Sequence, residues 1–289
     1  MKKIETLVED LQEVIYGRGG WNSIISRKLG DNIAESAAKR FSKPQEPRSY
    51  LSLSALGTPC QRKLWYKINK PKLAKPLGAE LLLKFFYGDI IEELILAMVE
   101  ASGHTVTGMQ DRLNVHGIRG HRDAVIDGVT VDVKSCSSYG FKKFNEGVLR
   151  DEDPFGYVSQ LSSYVYGAKD DPLVTDKERG AFLAIDKVNG NICLDVYNFS
   201  NELSHKEKEI EDIKQMVAGN IPTERVEPVP QYKGSANIKL AKDCVYCDFK
   251  KVCWPNVRIF QYSYGPEYLV HVEKEPKVPE ITFEGDSIE

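Results

Sequence analysis

His121-Arg122-Asp123-Ala124-Val125-Ile126-Asp127-Gly128-Val129-Thr130-Val131-Asp132-Val133-Lys134 decides how the rest of the chain reads. Asp127-Gly128 stands between two runs of alternating residues, a strong short-range signal for a two-residue type I′ hairpin. That loop fixes the register. Ile126 is expected opposite Val129, Val125 opposite Thr130, Ala124 opposite Val131, Asp123 opposite Asp132, Arg122 opposite Val133 and His121 opposite Lys134. Side chains alternate with period two, so His121, Asp123, Asp132 and Lys134 share one face. Ala124, Ile126, Val129, Val131 and Val133 lie on the other, which is a core face. Opposed carboxylates with side-chain roots about 5 Å apart repel each other and need compensation. A divalent cation supplies it, since magnesium takes oxygen ligands and keeps several waters, and Lys134 then holds a water or a phosphate. The plainer reading of the same residues is a polar sheet face on which Lys134 neutralises Asp132.

Outward from the hairpin, the pattern is that of a mixed α/β domain. Ile4, Leu7, Val8, Leu11, Val14 and Ile15 recur at helical spacing before Gly17, which predicts an amphipathic N-terminal helix. Further helices are expected over 31–41, 80–101, 139–148, 155–166 and 201–217, with Gly103 closing the second of these. Strands are expected over 104–110, 121–126, 129–134, 180–187 and 191–198, the last two joined at Asn189-Gly190. This order implies a mixed central sheet flanked by helices. The tail 273–289 holds six acids, two lysines and two prolines and is expected to be loosely ordered.

The 289 residues are 42% hydrophobic and 28% charged, an ordinary globular balance. No run of 18 apolar residues occurs, and the N-terminus carries no signal-peptide pattern, so a soluble, intracellular protein is expected. The net charge of -3 gives no global sign of nucleic-acid binding, which must come from local patches. One such patch is 61–79, with Arg62, Lys63, Lys67, Lys70, Lys72 and Lys75 and no acid, and with Trp65 and Tyr66 inside it. A solvated helix face followed by a lysine-rich loop accounts for the same stretch. Of six cysteines, three form Cys244-x2-Cys247-x5-Cys253, a spacing that points to metal ligation rather than to disulfides. Cys60 is the best fourth ligand. Zinc and iron-sulfur both accept four thiolates, and spacing alone does not separate them. Cys136 and Cys193 fall in or beside strands and read as small buried hydrophobes.

Taken together, Gly120-His121-Arg122-Asp123, Asp132-Val133-Lys134 and Gln160-Leu161-Ser162-Ser163-Tyr164 resemble motifs II, III and Q-x-x-x-Y of RecB-like nucleases in the PD-(D/E)XK superfamily. Tyr87-Gly88-Asp89-Ile90-Ile91-Glu92-Glu93 is similar to the family's upstream helix motif, with Glu92 as the matching ligand and Glu93 in reserve. The resemblance implies a restriction-endonuclease-like core. It further implies that Glu92, Asp123, Asp132 and the Val133 carbonyl bind magnesium or manganese, that Lys134 positions the attacking water, and that Gln160 and Tyr164 contact DNA near the cut. Gln160 and Tyr164 lie one helical turn apart and share a face. A polar helix face beside a buried tyrosine explains them equally well on their own, as a solvent-facing pair explains Glu92 and Glu93.

Thr58-Pro59-Cys60-Gln61-Arg62-Lys63-Leu64-Trp65-Tyr66 resembles the isolated N-terminal cysteine segment of AddB-type and CRISPR-adaptation nucleases. In those enzymes one cysteine before the nuclease core and three after it hold a 4Fe-4S cluster. That layout implies an iron-sulfur staple through Cys60, Cys244, Cys247 and Cys253, with zinc as the alternative. The implied protein is a DNA exonuclease leaving 5′-phosphates in recombination, repair or phage DNA processing, in the cytoplasm of a bacterial or phage-infected cell. Its substrate is a single strand or a duplex end, with Arg62, Lys63, Trp65, Tyr66 and Lys67 guiding the strand. A recombinase or single-strand-binding protein is the partner class, and no membrane is involved. The competing functions are a non-catalytic DNA-binding protein and a zinc-stabilised interaction module. The expected organisation is an N-terminal helical segment (1–50), a stapled nuclease domain (51–255) and a C-terminal extension (256–289).

Overall fold

The computed structural model describes residues 2–44, 48–75 and 77–282. The elements begin with α1 (Leu7–Ile15), α2 (Ser23–Phe41), α3 (Leu53–Leu56), α4 (Gln61–Asn69), α5 (Ala79–Ala101), β1 (Val106–Thr107), β2 (Arg112–Val115), β3 (Ile118–His121), β4 (Ala124–Ile126) and β5 (Val129–Cys136). They continue with α6 (Ser138–Asn145), α7 (Tyr157–Gly167), β6 (Arg179–Asp186), β7 (Ile192–Asn198), α8 (Ser200–Ala218), β8 (Val229–Pro230), β9 (Ile238–Lys239), α9 (Lys242–Val245), α10 (Lys250–Cys253), β10 (Arg258–Tyr262), β11 (Gly265–His271) and β12 (Glu280–Ile281). The described residues pack as two compact units, one from Met1–Glu46, Tyr50–Gly57 and Leu77–Gln215, the other from Pro47–Ser49, Thr58–Pro76 and Met216–Glu289. The division cuts across the segments 1–50, 51–255 and 256–289. Cys60 and Cys244 to Cys253 lie in the second unit, and α1 and α2 belong to the first. Among the described residues no helix is long and apolar enough to cross a membrane.

The first unit is built on a five-stranded mixed sheet in the order β1-β4-β5-β6-β7. β5 and β6 are parallel and the other neighbours antiparallel. A parallel pair needs a long crossover, and α6 and α7 provide it. Ala124, Ile126, Val129, Val131 and Val133 form the predicted core face, joined by Ala181, Leu183 and Ile185 and covered by α1 and α5. On the opposite face Phe182 and Ala184 meet Phe141 and Phe144 of α6 and Leu161 and Val165 of α7. Helices therefore cover both faces, as expected of a sheet with a parallel pair.

The hairpin turn forms as the sequence predicts. Asp127 (φ 49°) and Gly128 (φ 83°) both take positive φ, the signature of type I′. A Cβ on Gly128 would meet the Thr175 hydroxyl at 2.0 Å, so glycine is required there for space as well as for backbone conformation. Asp127 is held by the Thr105 N–H, which donates to its carboxylate at 3.0 Å, and by His104, whose Nδ1 lies 2.5 Å away. The other ring nitrogen of His104 faces Asp10 of α1 at 2.9 Å.

Ile126↔Val129, Val125↔Thr130 and Ala124↔Val131 pair as expected, but the ladder stops there. His121 pairs instead with Arg112 in a separate β2-β3 ribbon, which corrects the expected His121–Lys134 and Arg122–Val133 neighbours. The cause is the 108–111 turn: Gly108 (φ 57°) and Gln110 (φ 53°) leave the strand region. The Gln110 N–H then donates to the Asp123 carbonyl at 3.1 Å, and the Arg122 N–H to the Asp111 carbonyl at 3.3 Å. The same turn cuts the expected strand at 104–110 to Val106–Thr107. The fully buried Arg122 side chain locks it, donating to the Gly108 carbonyl at 3.2 Å and pairing with Asp111 at 2.9 Å and Asp171 at 2.6 Å. The helix expected at 31–41 starts at Ser23, because the Asn22 side chain accepts the Ile24 and Ile25 N–H groups as an N-cap.

The second unit contains a sheet that the sequence reading missed, in the order β12-β10-β11-β9-β8, all antiparallel. Its outer strand corrects the expectation of a loose tail for residues 273–282. Arg258 of β10 binds Glu275 at 2.5 Å and Glu280 at 2.6 Å, so two of the tail's acids are tied to the sheet. Residues 283–289 of that tail lie outside the described residues.

Candidate active site

Strand β5 carries Asp132, 2% exposed, and Lys134 on one face. The two side chains form an ion pair. Asp123, just before β4, turns its carboxylate onto the β5 backbone, where Oδ2 accepts the Val133 N–H at 2.8 Å. Asp123 and Asp132 thus meet at the open end of the ladder rather than as a paired rung. Glu92 comes from α5 and accepts from the Gln110 amide at 2.5 Å. Glu93, one position on, turns to α2 and accepts from Asn32 at 2.7 Å. Of the two glutamates, Glu92 is the one whose charge acts on Asp123.

The electrostatics follow from burying three carboxylates beside one ammonium. Burial, then the neighbouring Asp132 charge, pushes the Glu92 carboxyl up to about 7. Burial and the charges of Asp132 and Glu92 push Asp123 well above the carboxylate range. Burial works against the charged form of Lys134, but Asp132 and Asp123 outweigh it and hold the ammonium above the usual lysine range. The cluster is short of positive charge, which is the condition a divalent cation relieves. Among the described residues no three His, Cys, Asp or Glu side chains stand close enough together to grip an ion. Each carboxylate is instead engaged by a protein neighbour: Asp132 by Lys134, Asp123 by the Val133 N–H, and Glu92 by Gln110. The donor set, all hard oxygens, fits magnesium or manganese.

Helix α7 lies over the same face. Gln160 donates to the Tyr164 hydroxyl at 3.0 Å, so the two residues act on one helix face as their spacing requires. Tyr164 is 3% exposed; burial and the Asp132 charge raise its hydroxyl above the ordinary range. The start of α7 is fixed by Gly156 (φ 72°), where a Cβ would stand 1.5 Å from the Gly57 carbonyl oxygen. Two residues were missed by the sequence reading. Tyr157 places its ring 4.9 Å from the Lys134 ammonium, and its position three before Gln160 on a helix was the available signal. Gln110, which joins Glu92 to the Asp123 backbone, sits in an irregular turn with no such signal.

The four cysteines Cys60, Cys244, Cys247 and Cys253 line one small cavity in the second unit, with Lys63, Lys250 and Trp254 among its other walls. Burial, then the neighbouring Cys247 and Cys60, pushes the Cys244 thiol up to about 11. Burial also raises Cys247. The Trp254 indole N–H is buried without a hydrogen-bond partner and lies beside the Cys244 sulfur, whose ionised form it favours. The four thiols line one cavity without standing close enough together to grip an ion; thiols with an N–H donor and lysines nearby are the donor chemistry that a thiolate-held metal or cluster takes. The cavity is about 20 Å³.

The basic segment departs from expectation. Arg62 is buried, donating to the Pro222 carbonyl at 2.5 Å, and Tyr66 is buried in a stack on Phe249 at 5.4 Å. Neither is open to a DNA strand, which corrects their assignment as strand guides: both serve the packing of α4. The Trp65 N–H is likewise taken by the Gly219 carbonyl at 2.9 Å. Lys63 and Lys67 stay part-exposed. Burial, then the charges of Lys63 and Arg48, lowers the Lys67 ammonium.

No family model matches the chain, and no curated protein matches it. Among solved structures it is similar to SSO0001, at 17% identity and a TM-score of 0.40 over 80% of this chain and 96% of that one. It is also similar to an alkaline exonuclease, LHK-Exo, from Laribacter hongkongensis, at 13% identity and a TM-score of 0.40 over 64% of this chain and 92% of that one. Likenesses at this level carry no function to the chain.

Proposed function

We propose that the chain is a magnesium- or manganese-dependent deoxyribonuclease with a RecB-like PD-(D/E)XK centre, acting as an exonuclease on single strands or duplex ends. The observation that carries this reading is that, at the open end of the hairpin, Lys134 pairs with the buried Asp132, Asp123 accepts the adjoining Val133 N–H, and Glu92 is tied through Gln110 to the Asp123 backbone. An ordinary protein surface has no reason to concentrate acid there. Glu92, Asp123, Asp132 and the Val133 carbonyl would hold the metal, which when bound polarises the phosphodiester and lowers the pKa of water. Lys134, held charged by Asp132, steadies the attacking water and the charge that develops on the phosphoryl oxygens. Tyr157 keeps the ammonium in place through its ring face, and Gln160, anchored on Tyr164, meets the strand beside the cut. The resemblance to RecB-like nucleases implies that hydrolysis leaves a 5′-phosphate. Purified protein incubated with 5′- and 3′-labelled DNA, with and without manganese, tests the reading; intact DNA at every metal concentration refutes it.

The second unit is proposed to hold a 4Fe-4S cluster on Cys60, Cys244, Cys247 and Cys253, with zinc as the competing occupant. Its role is structural, fastening the 60 region to the 244–253 region across a long loop. Visible colour with iron and sulfide in a four-to-four ratio to protein supports the cluster. A colourless protein with one zinc per chain supports the alternative. The proposed setting is DNA recombination, repair or phage DNA processing, with a recombinase or single-strand-binding protein as partner.

A further inference from the structure

The second unit carries a cleft that neither the carboxylate cluster nor the cysteines use. It measures about 590 Å³ and is walled by the β8–β9 loop, the β10–β11 hairpin and the 274–277 segment, within the size range of small-ligand sites, roughly 300–1,000 Å³. Tyr262 and Tyr264 stack at 5.3 Å with ring planes 17° apart. Tyr264, at the hairpin tip, is 72% exposed, and Tyr232 on the facing loop is 65% exposed. Beyond the Tyr262–Tyr264 stack, Tyr264 and Tyr232 leave most of their surface in water on two sides of one cleft.

The walls are held rigid by a buried polar network. Asn237, 6% exposed, accepts the Glu273 and Lys274 N–H groups at 2.9 Å each. It donates to the Lys274 carbonyl at 2.8 Å and to Gln231 at 3.2 Å. Gln231 in turn donates to the Tyr262 hydroxyl and to Glu267, both at 2.7 Å. The charges then sort themselves. Glu267 is neutralised by Lys239 at 2.7 Å, and Glu275 is taken by Arg258. Among the described residues no ion pair or hydrogen bond engages the ammonium groups of Lys274 and Lys277, and both residues are exposed on the cleft wall. What is left facing solvent is stacked tyrosine and unpaired lysine.

We infer that this cleft is a binding site for single-stranded DNA, taking an unpaired base on the Tyr264 or Tyr232 ring and its backbone phosphates on Lys274 and Lys277. Rings give sequence-tolerant stacking and lysines give backbone attraction, the combination that single-strand binders use. The choice of DNA rests on the nuclease reading above; the stacking and charge do not.

The test is binding of fluorescein-labelled oligothymidylate to the full chain without divalent cation, followed by anisotropy across a salt series. Tyr264→Ala and Tyr232→Ala are each expected to weaken binding on the order of ten-fold. The double variant Lys274→Ala/Lys277→Ala is expected to flatten the salt slope by about one to two. Because all four side chains are exposed, the melting temperature stays at the wild-type value, which separates lost contact from lost fold. Photo-crosslinking an oligonucleotide that carries 5-iododeoxyuridine should label peptides containing Tyr232 or Tyr264. Variants that bind as tightly as wild type, crosslinks confined to the neighbourhood of Lys134 or α4, or no oligonucleotide binding at all would each overturn the inference. A protein that cleaves DNA while these variants bind normally defeats this site alone. One that binds through the tyrosines but never cleaves keeps the site and defeats the nuclease reading.

Discussion

The Asp123 carboxylate accepts the backbone N–H of Val133 at 2.8 Å, so a side chain takes over where the β4–β5 ladder runs out. One bond thereby positions an acid beside Asp132 and satisfies the Val133 N–H where the strand pairing has stopped. Asp123→Asn keeps an acceptor for that N–H and removes only the charge, whereas Asp123→Ala removes both. The first variant should fold as well as wild type and fail to cut DNA. The second should in addition lose on the order of 1–3 kcal/mol of stability, the cost of an unsatisfied buried N–H. Chemical denaturation with a parallel nuclease assay distinguishes them.

Lys134→Ala leaves the buried Asp132 carboxylate without its counter-charge. Removing one partner of a buried pair costs about 3–5 kcal/mol, reduced here because Lys134 keeps 18% side-chain exposure. Cleavage should fall on the order of 100-fold or more. Manganese should restore much of the lost stability and none of the rate, as read by thermal melts and single-turnover cleavage. Full-speed cleavage by this variant would sink the proposed chemistry.

Glu92 sets a pH dependence of definite sign. Its folded carboxyl is pushed up from 4.5 to about 7, so the native state holds the proton more tightly than the unfolded chain does. The stabilisation is complete below about pH 4.5 and is lost as pH rises towards 7. Metal-free protein should therefore lose about 3 kcal/mol across that window, and Glu92→Gln should flatten the curve. Asp10 acts in a separate window: Lys2 holds it down to about 2, so its contribution disappears only as pH falls below about 4. Manganese affinity should climb with pH up to about 7, and a pH-independent affinity would count against Glu92 as a ligand.

Gly156→Ala should cost about 3 kcal/mol or more, since the new Cβ would stand 1.5 Å from the Gly57 carbonyl at a left-handed φ. Gly147→Ala is the control. It has a similar φ of 67° with nothing within 4 Å, so it should cost only about 1–2 kcal/mol. The difference between the two melts reports the backbone contact that seats Tyr157 and Gln160.

Cys60→Ser should lower bound metal and the melting temperature together, while Cys193→Ser, buried in the first unit against the sheet, should leave metal content unchanged. Metal analysis on both proteins checks this. Equal metal in Cys60→Ser and wild type would remove Cys60 from the ligand set.

The hairpin was legible because its turn chemistry is local: Asp127-Gly128 fixes the first three rungs whatever surrounds them. The end of the ladder was not, because it depends on Arg122 reaching Asp171, 49 positions further along the chain. The basic stretch misled for a related reason. Arg62 and Tyr66 look like surface residues by type, but α4 turns them inward onto Pro222 and Phe249, partners that no local pattern announces. The second sheet hid behind composition. β8, β9 and β12 are two residues long, too short for alternation to register, and the acids around β12 read as disorder until Arg258 is seen to neutralise them.

The parallel partnership of β5 and β6 imposes an order of arrival. Ile126 and Val129 are neighbours across the turn, and a hairpin of that kind closes in about 1–10 μs. Val131 meets Ala181 only after α6 and α7 have been laid down between them, a far slower search. That order predicts that the acids of the hairpin stay in water while the turn-proximal rungs form, and that α7 closes over Asp132 and Lys134 late. Repulsion between the carboxylates is deferred to the last stage of folding, where a divalent cation in the medium would speed completion. Pulse-labelled hydrogen exchange should find the Val129 and Val131 amides protected before those of Ala181 and Leu183, with manganese shortening only the later phase.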